Sequence, residues 1–330
     1  MIIRPRGALL DPTLRRPSAL QSVPRDPGHL WLDKNENHDA ELRALAHRVL
    51  TALPESVIST YPEAGALYRK LAAWVGVSPD ALLLTPGSDG AIRLTFELLI
   101  EAGDCVVHTS PTFAMYPVYC QMFGARAVVV DYAPSPSGPV LDVEAMLGVI
   151  ARVRPKLVCL PNPDSPTGTV VDAPTLRRLL AACEAVGAAL LIDEAYHPYH
   201  EPSVASWTAA SPHLIVARTF AKGWGAAGLR VGFLVAHPET CALLHKLRPM
   251  YEVSTMATAF MEGMLDHTVA MEASVARIQA GKALFAAAME GFGFPVVRCG
   301  GNFVHVAFGA QGPAIHQALA PDILYKARFD

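Results

Sequence analysis

No two of the six cysteines (Cys105, Cys120, Cys159, Cys183, Cys241, Cys299) stand in a CxxC pair, so they offer neither a zinc ribbon nor a dithiol redox centre. Most lie in apolar strand or helix patterns and read as reduced core thiols. No run of one charge sign occurs either: 27 basic residues face 30 acidic ones, for a net charge of -3. Nucleic acid and an anionic membrane surface are therefore not expected partners, and the ligand should be small. No apolar run approaches the roughly 20 residues of a membrane span, and residues 1–10 are basic without the apolar stretch of a secretory signal. A cytoplasmic location is the expectation. There is no internal repeat and no low-complexity tract, which counts against solenoids and long linkers. No GxGxxG opens a helix after a strand, which counts against a nicotinamide dinucleotide site.

What the chain does have is apolar matter: 52% of its 330 residues are hydrophobic, enough for one large domain and a smaller one. Pro5, Pro12, Pro17, Pro24 and Pro27 predict an extended N-terminal arm, suited to lying over a partner. Leu32-Asp33-Lys34-Asn35-Glu36-Asn37 then precedes a helical pattern over 39–52 and by itself reads as a polar turn. Strand patterns at 81–84, 104–108, 126–131, 156–160, 190–193 and 213–217 alternate with helical ones at 67–75, 91–99, 113–123, 141–151 and 173–186. This is the rhythm of a mostly parallel sheet covered on both faces. After Pro238 the sequence is helix-rich to about 288, and Met250, Met256, Met261, Met264 and Met271 read as core or interface filler. Short strands at 295–297 and 303–307, a helix at 313–319 and a last strand at 323–325 predict a smaller α+β domain.

The chemistry gathers around residues 190–232. An apolar run (Leu190, Leu191, Ile192) delivers Asp193 to a strand tip, where open α/β sheets place their ligands. Lys222 follows 29 residues later, and Arg230 comes 8 beyond it. An acid, a lysine and an arginine around one pocket suit pyridoxal phosphate, which has a basic ring nitrogen, an aldehyde and a phosphate. Lys222 would form the Schiff base and later move the proton at the substrate α carbon, for which Phe220, Ala221 and Trp224 offer desolvating cover. Asp193 would keep the ring nitrogen protonated, Tyr196 would donate to the ring hydroxyl, and Arg230 would clamp the phosphate. Taken one at a time, these residues read better as a helix cap, a surface charge and a salt bridge. Their joint spacing is what favours a site.

Other stretches add to it. Thr85-Pro86-Gly87-Ser88-Asp89-Gly90 joins a strand to a helix through a glycine turn, an anion seat if Arg230 and Thr219 converge on the same phosphate. Phe113, after a strand end, either stacks on a flat ring or begins a hydrophobic helix as core. In Asn162-Pro163-Asp164-Ser165-Pro166-Thr167-Gly168 two prolines and a glycine predict a rigid loop that could hold a side chain against a cofactor edge.

In this order and spacing the chain resembles the fold type I pyridoxal phosphate aminotransferases, and most of all the histidinol-phosphate aminotransferase group, over nearly its whole length. The matching residues are Asn35-Glu36-Asn37, Tyr61-Pro62, Gly87-Ser88-Asp89, Pro111 to Phe113, Pro166-Thr167-Gly168, Asp193 with Ala195-Tyr196, and Lys222 with Gly228-Leu229-Arg230. The resemblance implies an α/β fold: a large domain with a mostly parallel seven-stranded sheet covered by helices, plus a smaller α+β domain. The corresponding division is an arm and part of the small domain in 1–50, the cofactor domain in 51–240 and the small domain in 241–330. Lys222, Asp193 and Tyr196 would be catalytic. Gly87, Ser88, Asp89, Thr219 and Arg230 would hold the phosphate, Phe113 would stack on the ring, and Ser165 would face its hydroxyl. Tyr61 would reach the phosphate of the other subunit, which implies a homodimer, while Asn35, Asn37 and Arg328 would contact substrate. No metal is implied.

Three departures qualify that picture. Ser165 stands where the family usually has asparagine, and Ala221 where it commonly has a phosphate-binding serine, a loss of one hydrogen bond of roughly 1 kcal/mol. The carboxylate-binding arginine normally found after such a C-terminal stretch has only Arg328 as a stand-in, so a truncated chain and a changed substrate are both open. An aminotransferase acting on histidinol phosphate or a related amino compound, with a 2-oxo acid as acceptor, is the leading reading. The alternatives are a decarboxylase or oxidase of an amino acid or phospho-amino acid on the same scaffold, and a cofactor-binding protein without turnover.

Overall fold

The structure is a computed structural model that describes residues 6–14 and 24–327. After β1 (Leu30–Trp31), α1 (Ala40–Thr51) and α2 (Gly65–Val75), strands and helices alternate. They are β2 (Leu82–Thr85), α3 (Gly87–Leu99), β3 (Cys105–Ser110), α4 (Met115–Phe123), β4 (Arg126–Ala133), β5 (Val140–Leu141) and α5 (Val143–Val153). Then come β6 (Leu157–Pro161), α6 (Ala173–Val186), β7 (Ala189–Asp193), β8 (Leu214–Thr219) and β9 (Gly232–Ala236). The strands build one eight-stranded sheet in the order β2-β9-β8-β7-β6-β3-β4-β5. The series β4, β3, β6, β7, β8 is parallel throughout, and β9 is antiparallel to both β8 and β2. Seven of these strands make the expected mostly parallel sheet, and the two-residue β5 adds an antiparallel edge.

Burial explains the composition of these strands. β2, β6 and β9 are buried at every position, so their sequences are near-continuous Leu, Val and Phe instead of alternating. Each fully buried side chain of that kind contributes about 1.5–3 kcal/mol. Nothing in the periodicity of residues 231–236 announces β9, because a short apolar run has the same pattern in a strand and in a packed loop. Helix boundaries follow local chemistry. The Asp172 carboxylate accepts from the Thr175 amide at 2.9 Å to start α6, and Gly187, at φ 76°, ends it.

Beyond Pro238 the chain forms α7 (Pro238–Leu244), α8 (Thr255–Met264), α9 (Thr268–Gly291), β10 (Val296–Arg298), β11 (Val304–Val306), α10 (Gly312–Leu319) and β12 (Ile323–Leu324). β10 and β11 form an antiparallel pair, while β12 lies parallel to β1 and so joins the two ends of the chain. Met261, Met264 and Met271 are core, whereas Met250 is 78% exposed. In the N-terminal arm, Gly7–Leu10 form a short 3-10 helix instead of a fully extended segment. All six cysteines are buried and free. Among the described residues no helix is long and apolar enough to cross a membrane, and no cluster of potential metal ligands occurs.

One ion pair is built into the core beside the sheet. Arg218 of β8 and Glu194, just past β7, are 5% and 6% exposed in their side chains and 2.9 Å apart. Glu194 also accepts from the Ser203 hydroxyl and the Val204 amide, each at 2.8 Å, and Arg218 donates to Ser203. Such a pair adds little over an apolar substitute, but removing one member strands the other's charge. Arg218→Ala should therefore lower unfolding stability by about 3–5 kcal/mol, measured by urea denaturation. Arg218→Ala combined with Glu194→Gln should recover part of that loss.

Candidate active site

The pairing of the strands decides which loops meet. β6, β7 and β8 set Pro161, Asp193 and Ala217 side by side, and the antiparallel pairings bring Thr85 beside Gly232 and Gly232 beside Thr219. The loops that leave β2, β3, β6, β7 and β8 thus open at one end of the sheet, its carboxyl end, where such folds bind ligands. Gly87, Phe113, Ser165, Tyr196 and Lys222 all sit in or just beyond these loops. Gly223, Gly225 and Gly228 have GxGxxG spacing after β8, yet they lead into the three-residue turn Ala227–Leu229 and then β9, with no helix to receive a dinucleotide.

Asp193 is 5% exposed, and among the described residues it forms no ion pair. Its carboxylate accepts from the Ala195 amide at 3.0 Å and, weakly, from the Tyr116 hydroxyl at 3.5 Å. Burial pushes its pKa up to about 7, with the neighbouring carboxylates of Asp89 and Asp164 adding to the effect. A group in this state will bind a cation or a proton.

A candidate anion seat forms at the other side of the opening. Gly87 adopts φ 76°, and α3 begins there with no side chain capping its first amides, so these are free to face an anion. A Cβ on Gly87 would lie 2.7 Å from an Arg230 guanidinium nitrogen, and one on Gly232 would lie 2.6 Å from the Gly87 carbonyl carbon. Both glycines are needed for the turn to lie against β9 beneath the arginine. Thr219 is adjacent through Gly232, and its hydroxyl accepts from the Ala221 amide at 3.1 Å. Gly87, Thr219 and Arg230 thus come together around Gly232, with Ser88 next in the chain at the start of α3. The Asp89 carboxylate instead accepts from Tyr119 at 2.9 Å, which leaves its main-chain amide as what it can offer a phosphate.

Lys222 lies between these two poles, with Phe220 and Trp224 buried beneath it. Desolvation, the largest influence, lowers its pKa to about 8. Its ammonium donates to the Lys34 carbonyl at 2.5 Å and sits 5.8 Å from the Tyr196 ring centre. Tyr196 is 5% exposed, and its hydroxyl accepts from the Asn35 amide at 2.8 Å. Ser165, half-buried, reaches the same hydroxyl. Phe113 is half-buried just ahead of α4 and edge-on to Tyr116, with ring centres 5.9 Å apart.

The expected substrate contacts take a different form. The Asn37 amide donates to the Gly223 carbonyl at 2.9 Å and its oxygen accepts from the Asp39 amide at 2.9 Å, so in the structure it braces the lysine loop. Asn35 faces Tyr196. Arg328 lies outside the described residues. Tyr61 is 73% exposed and stacked on Tyr251 at 4.4 Å, away from this chain's own opening. Two residues escaped the sequence reading. Tyr116 stands three positions after Phe113, a spacing that puts both on one side of a helix start. Asp164 is fully buried and accepts from the Thr167 amide, the Thr167 hydroxyl and the Thr112 hydroxyl at 3.0, 2.8 and 3.2 Å, holding the loop that presents Ser165. Its position next to Ser165 was the available signal.

This donor set fits pyridoxal phosphate: a buried carboxylate without a cation, a desolvated lysine, and an arginine over a glycine turn with free amides. Comparison with known proteins agrees. The family model for class I and II aminotransferases matches residues 27–324. Histidinol-phosphate aminotransferase 1 of Cupriavidus pinatubonensis is 33% identical over 298 residues, covering 88% of this chain and 76% of that one. The histidinol-phosphate aminotransferase of Roseiflexus castenholzii is 33% identical over 295 residues, covering 87% and 77%. The crystal structure of the Sinorhizobium meliloti histidinol-phosphate aminotransferase in complex with pyridoxal-5'-phosphate superposes with a TM-score of 0.77 at 23% identity, covering 90% of this chain and 82% of that one. With the fold, the donor set and the family match in agreement, this chain belongs to the class I and II aminotransferases and is a pyridoxal phosphate-dependent aminotransferase.

Proposed function

We propose that the enzyme transfers the amino group of an amino-alcohol phosphate resembling histidinol phosphate to a 2-oxo acid. The observation that carries this reading is the meeting of Lys222, Asp193 and Arg230 at one end of the sheet, in a chain whose relatives bear the histidinol-phosphate aminotransferase name. Pyridoxal phosphate, when bound, supplies an aldehyde that links to amines and a ring that draws electrons from the substrate α carbon. The protein's part is to hold it and to move protons. Arg230, the hydroxyls of Ser88 and Thr219 and the amides at Gly87 and Asp89 hold the phosphate. Phe113 covers the ring, and Tyr196 with Ser165 faces the ring hydroxyl.

Asp193 keeps a proton on the ring nitrogen, because its own buried charge is stabilised only when a cation lies against it. Lys222, with a pKa of about 8 in place of the usual 10.5, is neutral in a useful fraction near neutral pH. It can therefore take the proton from the α carbon and return it elsewhere. Tyr61 completes the phosphate site of a second copy, for which the exposed apolar surface of Ile58, Tyr61 and Met250 provides a place to dock. The homodimer is cytoplasmic in this reading, in keeping with six unpaired cysteines. The division at about residues 50 and 240 is retained, with β1 contributed to the small domain through its pairing with β12.

Mixing the loaded enzyme with histidinol phosphate and 2-oxoglutarate should produce glutamate. Release of carbon dioxide from phosphoserine or phosphothreonine, with no glutamate formed from histidinol phosphate, would replace this reading by a decarboxylase. Lys222→Ala should abolish the visible absorbance of the lysine-linked cofactor and lower kcat by at least about 10²–10⁴-fold; an unchanged spectrum would remove Lys222 from its role.

A third expectation concerns pH. In the cofactor-free protein the folded-state pKa of Asp193 is about 7 against the usual 3.8. The folded state therefore binds that proton more tightly, and the contribution of Asp193 to stability falls as pH rises from about 4 to about 7. Asp193→Asn should flatten that decline and raise stability at pH 8 by up to about 4 kcal/mol, read from urea midpoints. The same substitution should impair turnover in the loaded enzyme.

A further inference from the structure

The hydroxyl of Tyr196 is served from one side by Ser165, a side chain shorter than the family's asparagine, and from the other by Asn35. The Asn35 amide nitrogen donates to it at 2.8 Å. Asn35 is held for this contact at some cost, since its backbone lies in the left-handed region at φ 54°, uncommon for any residue but glycine and best tolerated by asparagine and aspartate. Its neighbours pin it there. The Asn302 amide donates to the Asn35 carbonyl at 3.1 Å, and Arg25 grips Asp33 and Glu36 on either side at 2.8 and 2.5 Å. The Tyr196 ring is clamped as well, packed on Phe303 with ring centres 5.3 Å apart, and a Cβ on Gly301 would come within 2.8 Å of it.

We propose that Asn35 is a positioning residue that fixes the Tyr196 hydroxyl, making it an acceptor on the Asn35 side so that its proton points into the site, and thereby offsets the shorter Ser165. This rests on the reading of Tyr196 as a site residue given above. An amide that donates to a phenol stabilises its ionised form over its neutral one. In keeping with that, burial raises the Tyr196 pKa while Ser165 and Asn35 act to lower it.

Two variants isolate the contact. Asn35→Gly deletes the side chain at a backbone geometry that glycine adopts without penalty, and Asn35→Asp keeps the shape while replacing a donor by an acceptor. In the full-length protein without cofactor, tyrosinate absorbance titrated against Tyr196→Phe as the blank should show Tyr196 ionising at higher pH in Asn35→Gly, and higher still in Asn35→Asp. In the loaded enzyme, the pH midpoint of the cofactor's visible absorbance should shift in Asn35→Gly and in Tyr196→Phe, and the double variant should shift no further than Tyr196→Phe alone. With kcat lowered about tenfold in Asn35→Gly, the worth of one hydrogen bond, KM should change little. Additive shifts, a KM change without a kcat change, or a Tyr196 titration untouched by both variants would overturn the proposal. Failure of the lysine-linked chromophore to form in wild type would instead count against the proposed function, and the tyrosinate titration would still decide the role of Asn35.

Discussion

Two consecutive acidic residues at the tip of β7 meet opposite fates, and the site depends on the difference. Asp193 and Glu194 are equally buried, at 5% each, but their side chains meet different partners. Glu194 turns into the core and finds Arg218, Ser203 and the Val204 amide waiting for it. Asp193 turns to the open end and, among the described residues, meets an amide and a distant phenol. One charge is neutralised inside the fold; the other is held in reserve for a ligand. A buried carboxylate in that condition is costly, and in the proposed function that cost is what suits it to the protonated ring nitrogen of the cofactor.

The opposite pole of the candidate site is governed by β9. Were this strand parallel like its neighbours, its loop would leave from the far end of the sheet. Because it runs antiparallel, it starts at the carboxyl end, which puts Gly232 against Gly87 and lets Arg230, two residues earlier, lie over the α3 amides. The glycines do packing work that no other residue could do, since a Cβ at either position would collide with the arginine or with the main chain. An anion bound here would be held by the backbone plus one fork of positive charge.

The N-terminal segment ties these poles to the smaller region of the protein. Within four residues, the Lys34 carbonyl takes the Lys222 ammonium, Asn35 takes the Tyr196 hydroxyl, and Asn37 takes the Gly223 carbonyl. Asn302, between β10 and β11, holds that segment in turn, and the Gly300 amide donates to the Gly168 carbonyl at 2.9 Å beside the Ser165 loop. The reacting side chains are thus fixed by contacts that reach across nearly the whole length of the chain, a requirement for holding them to the tolerance that proton transfer demands.

The amino-acid sequence by itself determined the fold class, through the alternation of apolar runs and amphipathic helices, and pointed to a candidate site, through the spacing of Asp193, Lys222 and Arg230. These are legible because strand tips and glycine turns leave local chemical marks. Tertiary structure alone decided the rest. The polar runs around Asn35 and Asn37 read equally as a turn or as substrate contacts until the fold brought them against Tyr196 and Gly223. Asp164 and Tyr116 were marked only by standing near Ser165 and Phe113, with nothing to say that they meet Asp193, and β9 had no periodicity to betray it. Hydrogen-bond partners and desolvation belong to the assembled fold, because they arise from residues distant in sequence that meet only when the sheet has formed.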